Sequence, residues 1–207
     1  MKKVIMLAVM VLGFSSAAFA ASAVAVIKGT QENSTVNGEV ILTENNDGLL
    51  LEFVVENVSP GKHAFHIHEH GSCDEHGNAA GSHYNPENVQ HGFLPKDGYT
   101  AAHAGDFGNI EAGEDGKGEL ELFLPGLTLT GVAHNVAGKA VILHEKVDDF
   151  GQPTGNAGGR IGCGIISLVE EEQVSSDDDS DMDNLEENDD TVELPMDAAE
   201  SPMNAEK

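Results

Sequence analysis

The chain carries ten histidines, nine of them between positions 63 and 134 and the tenth at His144. In His66-Ile67-His68 two imidazoles flank one residue, and on a β-strand such alternate side chains leave the same face. Both can therefore reach one ion without bending the backbone. Downstream, His83, His91, His103 and Asp106 follow with the spacing H-x7-H-x11-H-x2-D. Three nitrogen donors and one oxygen donor suit a tetrahedral zinc ion. His144 closes the strand-like Val141-Ile142-Leu143-His144 and can complete an imidazole-rich site with His66 and His68, a donor set that suits copper when a position stays open. Each piece alone is weak, because an H-x-H pair on a strand is usually solvated and a lone strand histidine is usually a satisfied core residue. His70 and His76 are read in that plain way, since His70 falls where the strand gives way to Gly71.

The elements that must position these residues are short and β-rich. Ala23 to Ile27, Gly38 to Leu42, Leu49 to Val55, His63 to His68, Glu119 to Phe123, Ala140 to His144 and Ile161 to Leu168 are β-branched or alternating runs bounded by turn signals. Asn46-Asp47-Gly48 and Glu114-Asp115-Gly116 read as hairpin turns. No stretch holds the 3.6-residue period of a long helix, so the pattern predicts an all-β sandwich or barrel. Gly71 to Gly108 shows no strand pattern. Loops of that size are usually functional or tied down.

In order along the chain, His63-Ala64-Phe65-His66-Ile67-His68-Glu69, Ala80-Gly81-Ser82-His83-Tyr84-Asn85-Pro86 and His103-Ala104-Gly105-Asp106-Phe107-Gly108-Asn109 are followed by His144-Glu145-Lys146-Val147-Asp148-Asp149 and Thr154 to Gly164. This ordered set resembles the copper/zinc superoxide dismutase family, in an exported, bacterial-type form with an acidic C-terminal extension. The resemblance runs from about residue 22 to 169. It implies an all-β fold, a Greek-key β-barrel or sandwich of immunoglobulin-like type with long metal-binding loops. It also implies copper on His66, His68, His83 and His144, and zinc on His83, His91, His103 and Asp106, with His83 bridging the two. Asp148 matches a carboxylate that orients His66 and His91, Arg160 matches a guanidinium that holds the anionic substrate, and Cys73 and Cys163 match the family disulfide. Two cysteines in an exported chain are expected to pair in any case. The implied activity is conversion of superoxide to oxygen and hydrogen peroxide by copper redox cycling, His83 taking up a proton and zinc organising the loop. Two departures stand out: Phe150-Gly151-Gln152-Pro153-Thr154 is a shortened, uncharged form of the family's substrate-guiding loop, and the segment between His91 and His103 is longer.

Charge bounds the partners. With 10 Lys+Arg against 36 Asp+Glu the formal charge is −26, which argues against nucleic acid and anionic membranes. Residues 1–20 carry Lys2 and Lys3, an apolar run from Val4 to Phe14 and the small-residue end Ala18-Phe19-Ala20, the layout of a secretory signal cleaved after Ala20. A periplasmic or secreted protein, free of the membrane after cleavage, is the expectation. Residues 170–207 hold 16 acids and one base and read as a disordered acidic tail. The globular part is then 21–169, still near −13, with Arg160 and Lys146 as the cations able to guide an anion. A non-catalytic exported protein that buffers or delivers copper and zinc would use the same histidines but would not need Arg160. A homodimer stays open, since a single sequence does not announce subunit contacts.

Overall fold

A computed structural model describes residues 20–170. The expected leader and acidic tail therefore lie outside the described residues, save for Ala20 and Glu170. Eight antiparallel strands close on themselves: β1 (Ser22–Gly29), β2 (Asn37–Asn45), β3 (Gly48–Glu56), β4 (Gly61–His68), β5 (Asp106–Ala112), β6 (Gly118–Pro125), β7 (Ala140–His144) and β8 (Arg160–Ile165). Their order around the ring is β1-β2-β3-β6-β5-β4-β7-β8, and β1 pairs with both β2 and β8. The β3 to β4 and β6 to β7 connections each pass over two strands, the crossings of a Greek key. Closure leaves little free edge, and a short β9 (Ser167–Leu168) adds to β1.

Alternation builds the core. Ala23, Ala25 and Ile27 of β1, Val40 and Leu42 of β2, and Leu49, Leu51, Phe53 and Val55 of β3 point inward and are buried. The rings of Phe53, Phe65 and Phe107 run in a chain at centroid spacings of 5.1 and 5.5 Å. Truncating any one of them costs about 3–5 kcal/mol. Both predicted hairpin turns form: Asn45 Oδ1 accepts the N–H groups of Asp47 and Gly48 at 2.9 and 3.0 Å, and Gly116, at φ +74°, closes the β5–β6 turn.

Two expectations are corrected. Ile161 to Leu168 is not one strand, because Ile166 turns into the core between β8 and β9 and bonds Gly138 and Lys139 instead. β5 went unread in the sequence. Its residues Asp106-Phe107-Gly108-Asn109-Ile110-Glu111-Ala112 are covered on both faces over the first half, so no alternation marks them. The stretch from Gly71 to Gly108 is otherwise irregular as expected, with a 3₁₀ turn at Glu75–Ala80 and one helical turn at Leu94–Asp97.

Candidate metal centre

The long connection from β4 to β5 does not hang free. It folds over the outside of β4, β7 and β8, which is why all residues from His63 to His68 and from Ala140 to His144 are buried, on both faces of their strands. Phe65, Ile67, Val141 and Leu143 face the barrel core. Ala140 and Ile142 face outward and pack with Ala80 and the Cys73–Cys163 disulfide. That bond closes a span of 90 residues. A loop of this length is worth roughly 4–5 kcal/mol in the chain-entropy account. Next to it the connection pairs with the strand end: Glu69 and His70 donate to Ser82 and Ala80, and Tyr84 donates to Ile67 at 2.8 Å, which sets His83 beside His68.

The outward histidines meet there. His66 and His68 project from β4 and His144 from β7, with His66–His83 and His66–His144 ring centroids 4.0 and 5.0 Å apart. One ligand atom from each of His66, His68, His83 and His144 falls within 4.8 Å of the others, and the same holds for His83, His91, His103 and Asp106. His83 belongs to both groups. All eleven residues singled out in the sequence are accounted for: seven in these groups, Asp148 and Arg160 against them, and Cys73 and Cys163 bonded to each other. His70 and His76 stay outside, exposed, as read.

Tautomers follow from the surroundings. His66 Nε2 donates to Asp148 Oδ2 at 2.8 Å, His91 Nε2 donates to Asp148 Oδ1 at 2.9 Å, and His68 Nδ1 donates to the Gly81 carbonyl at 2.9 Å. The opposite nitrogens are left without partners: His66 Nδ1, His68 Nε2 and His91 Nδ1, together with both nitrogens of His144, are buried and make no hydrogen bond. His91 Nδ1 does stand 2.9 Å from Asp106 Oδ2, but off any hydrogen-bond direction. A buried polar atom without a partner costs about 1–3 kcal/mol. One nitrogen each of His66, His68 and His144 falls in the group with His83, and His91 Nδ1 falls in the group with Asp106, so the orphaned atoms fit two metal ions, the nitrogen-rich group suiting copper and the mixed nitrogen and oxygen group suiting zinc. His66, His91 and Asp148 also lie close enough to form a third cluster, but Asp148 faces the N–H sides of both rings, so it orients them.

Burial pushes the imidazoles of His68, His83 and His144 down, to about 2, about 4 and about 3, and lowers His66 as well. They are neutral at neutral pH, the form that binds metal. Burial also acts downward on His91, but the close carboxylates of Asp106 and Asp148, the latter hydrogen-bonded to the ring, outweigh it and hold this ring up at about 9. For Asp106 and Asp148 the order is similar: burial works upward, and the facing histidines win, keeping both well below the usual carboxylate range.

A cavity of about 310 Å³ opens onto His68, His83 and His144, walled by Ser82, Thr154 and the 156–158 turn. Arg160 stands opposite His144 in the β7–β8 register and is its one lining residue of fixed charge. Both terminal guanidinium nitrogens donate to backbone carbonyls, Nη1 to Gly77 and Nη2 to Gly81, each at 2.6 Å. Lys146, the other expected cation, is exposed and does not line the cavity. A larger groove of about 570 Å³ beside the disulfide holds no ligand group.

The sequence did not flag the amides that hold these loops. Asn109 Nδ2 donates to the Asp148 carbonyl at 3.0 Å while its Oδ1 accepts the Asp148 N–H at 2.7 Å, and Gln152 makes the same kind of pair with His91. Gly155 was likewise unassigned: at φ +76°, a Cβ there would lie 2.0 Å from Asp148 Oδ1 and 2.8 Å from His91 Nε2.

The class so defined is an all-β protein with two adjoining groups able to hold metal, joined by one imidazole and open on one side to a small anion. Known proteins agree. The family described as copper/zinc superoxide dismutase (SODC) matches residues 36–166. Superoxide dismutase [Cu-Zn] 5 of Dictyostelium discoideum is 36% identical over 154 residues, 71% of this chain and 97% of that protein. Extracellular superoxide dismutase [Cu-Zn] of Drosophila melanogaster is 38% identical over 146 residues, 66% and 78% of the two chains. Among solved structures, the crystal structure of the clock protein EA4 superposes with a TM-score of 0.65 at 35% identity, covering 77% of this chain and all of the other. The chain belongs to the copper/zinc superoxide dismutase family, oxidoreductases that act on superoxide with copper and zinc.

Proposed function

We propose that this chain dismutes superoxide with copper on His66 Nδ1, His68 Nε2, His83 and His144, and zinc on His83, His91, His103 and Asp106. The observation that carries this division is the set of buried nitrogens without partners, one each from His66, His68 and His144 in the first group and His91 Nδ1 in the second, with His83 common to both groups. When bound, copper supplies one-electron redox chemistry, while zinc has none and serves to order the loop.

The protein's own part is positioning. Arg160, braced by two carbonyls, presents its positive charge to an anion entering the cavity beside His68 and His144. His83 keeps Nδ1 2.8 Å from Asp106, so its Nε2 is the atom left on the cavity side to take up and pass on a proton. Asp148 spans both groups and fixes the tautomers of His66 and His91. The −13 of the globular part is no bar to an anion, because at physiological salt charges beyond about 8 Å are screened while Arg160 borders the cavity itself.

Export is part of the proposal, supported by the layout of residues 1–20 and by a relative named as extracellular. The chain would then act as residues 21–169 with a solvated acidic extension at 170–207, removing superoxide outside the cytoplasm, alone or as a homodimer. The test is metal analysis and a superoxide-removal assay on the purified mature protein. One copper and one zinc per chain with activity are expected, and full metal loading without activity would contradict the catalytic reading.

A further inference from the structure

The connection from β7 to β8 delivers Asp148 to the centre and, four residues on, Gln152. Gln152 is exposed, yet its terminal amide is fully used. Oε1 accepts the backbone N–H of His91 at 3.1 Å, and Nε2 donates to the His91 carbonyl at 2.8 Å. This reciprocal pair replaces what an adjacent strand would supply. The replacement matters because residues 89–92 make no main chain to main chain hydrogen bond among the described residues. Their backbone rests on side chains: Val89 on Asn85, His91 on Gln152 and Gly92 on Asp106. The segment from which Gln152 projects is itself braced, with Phe150 N–H on Asp148 Oδ1, Gly151 N–H on Asp149 Oδ1 and Gly155 N–H on the Gly151 carbonyl.

We infer that Gln152 is a positioning residue for the zinc group: it fixes the main chain of His91 so that the ring meets Asp148 on one side and the ion shared with Asp106 on the other. Through it, the shortened connection that walls the cavity at Thr154 and 156–158 is fastened to the zinc-side loop. The inference rests on the reading that His91 and His103 hold zinc.

The test compares the full-length protein with Gln152→Met, which keeps length without polarity, Gln152→Glu, which keeps the acceptor and loses the donor, and His103→Ala. Two quantities are read: the rate of zinc loss to a colorimetric chelator, and the visible spectrum of the cobalt(II) form of the zinc group. Gln152→Met is expected to lose zinc about tenfold faster and to change the cobalt bands, with Gln152→Glu between it and the parent and copper content unchanged. Release and spectrum equal to the parent in Gln152→Met, with zinc lost from His103→Ala, would overturn the inference. A lower melting temperature with an unaltered cobalt spectrum would overturn it too, since that is a merely structural role. Zinc held equally by His103→Ala and the parent would instead overturn the underlying zinc reading.

Discussion

The two ligand groups share His83 and are built in opposite ways. His66, His68 and His144 stand on barrel strands, and no carboxylate joins them in their group; the wall sets their positions and burial keeps them neutral. His91 and His103 stand on a connection with little regular structure, gathered around the buried Asp106, which also accepts the N–H groups of Gly92 and His103, both at 2.9 Å. One group is rigid because the fold is. The other is held by its own charges and by side-chain amides, so metal and carboxylate do there what strands do elsewhere. Damage to the strand group should therefore stay local, whereas damage to the loop group should spread.

The sharpest contrast comes from His144→Ala. Copper should be lost or bound loosely, and superoxide removal should fall by more than the roughly 10- to 100-fold that outer-shell partners are worth, with zinc retained. Equal loss of zinc, seen by metal analysis, would mean that the groups are not separable. Asp148→Asn comes next, because it spans both groups. Zinc affinity measured by competition should weaken about 10- to 100-fold. Unchanged affinity would show that Asp148 does not orient His91. Arg160→Glu should leave both metals in place and slow substrate capture about tenfold or more at every ionic strength, since the reversed charge sits at the cavity rather than a screening length away. A slowing that vanishes at physiological salt would place that charge farther from the site.

A smaller effect separates the groups by pH in the metal-free protein. His68, His83 and His144 sit below their ordinary value of 6.5, so the unfolded chain takes protons first and stability falls as pH drops from about 6.5 towards 4. His91 is raised to about 9, so its contribution is complete below 6.5 and is lost as pH rises towards 9. The melting temperature of chelator-treated protein should peak near pH 6.5, each kcal/mol being worth about 2–4 °C for a chain of this size. A steady rise or fall across pH 5–9 in calorimetry would contradict the assignment.

What was legible in the sequence follows the same division. The strand group showed itself through His66-Ile67-His68, because a period of two is a local signal, and the family motifs pointed to the remaining candidate ligands. β5 was hidden because its first residues serve two masters, Asp106 facing the ligands and Phe107 the core, with Gly108 and Asn109 adding no β preference. Gln152 and Asn109 were hidden for another reason. Their partners, His91 and Asp148, lie 61 and 39 residues away, and an amide's role in holding a distant backbone leaves no spacing to read.

The central claim is that two groups joined at His83 hold different metals. Crystals of the metal-loaded protein, measured on either side of the copper and zinc absorption edges, test it most directly. A copper peak among His66, His68 and His144 and a zinc peak among His91, His103 and Asp106, with His83 between them, is the predicted result. One peak only, or the same metal at both points in protein carrying equal copper and zinc, would contradict it.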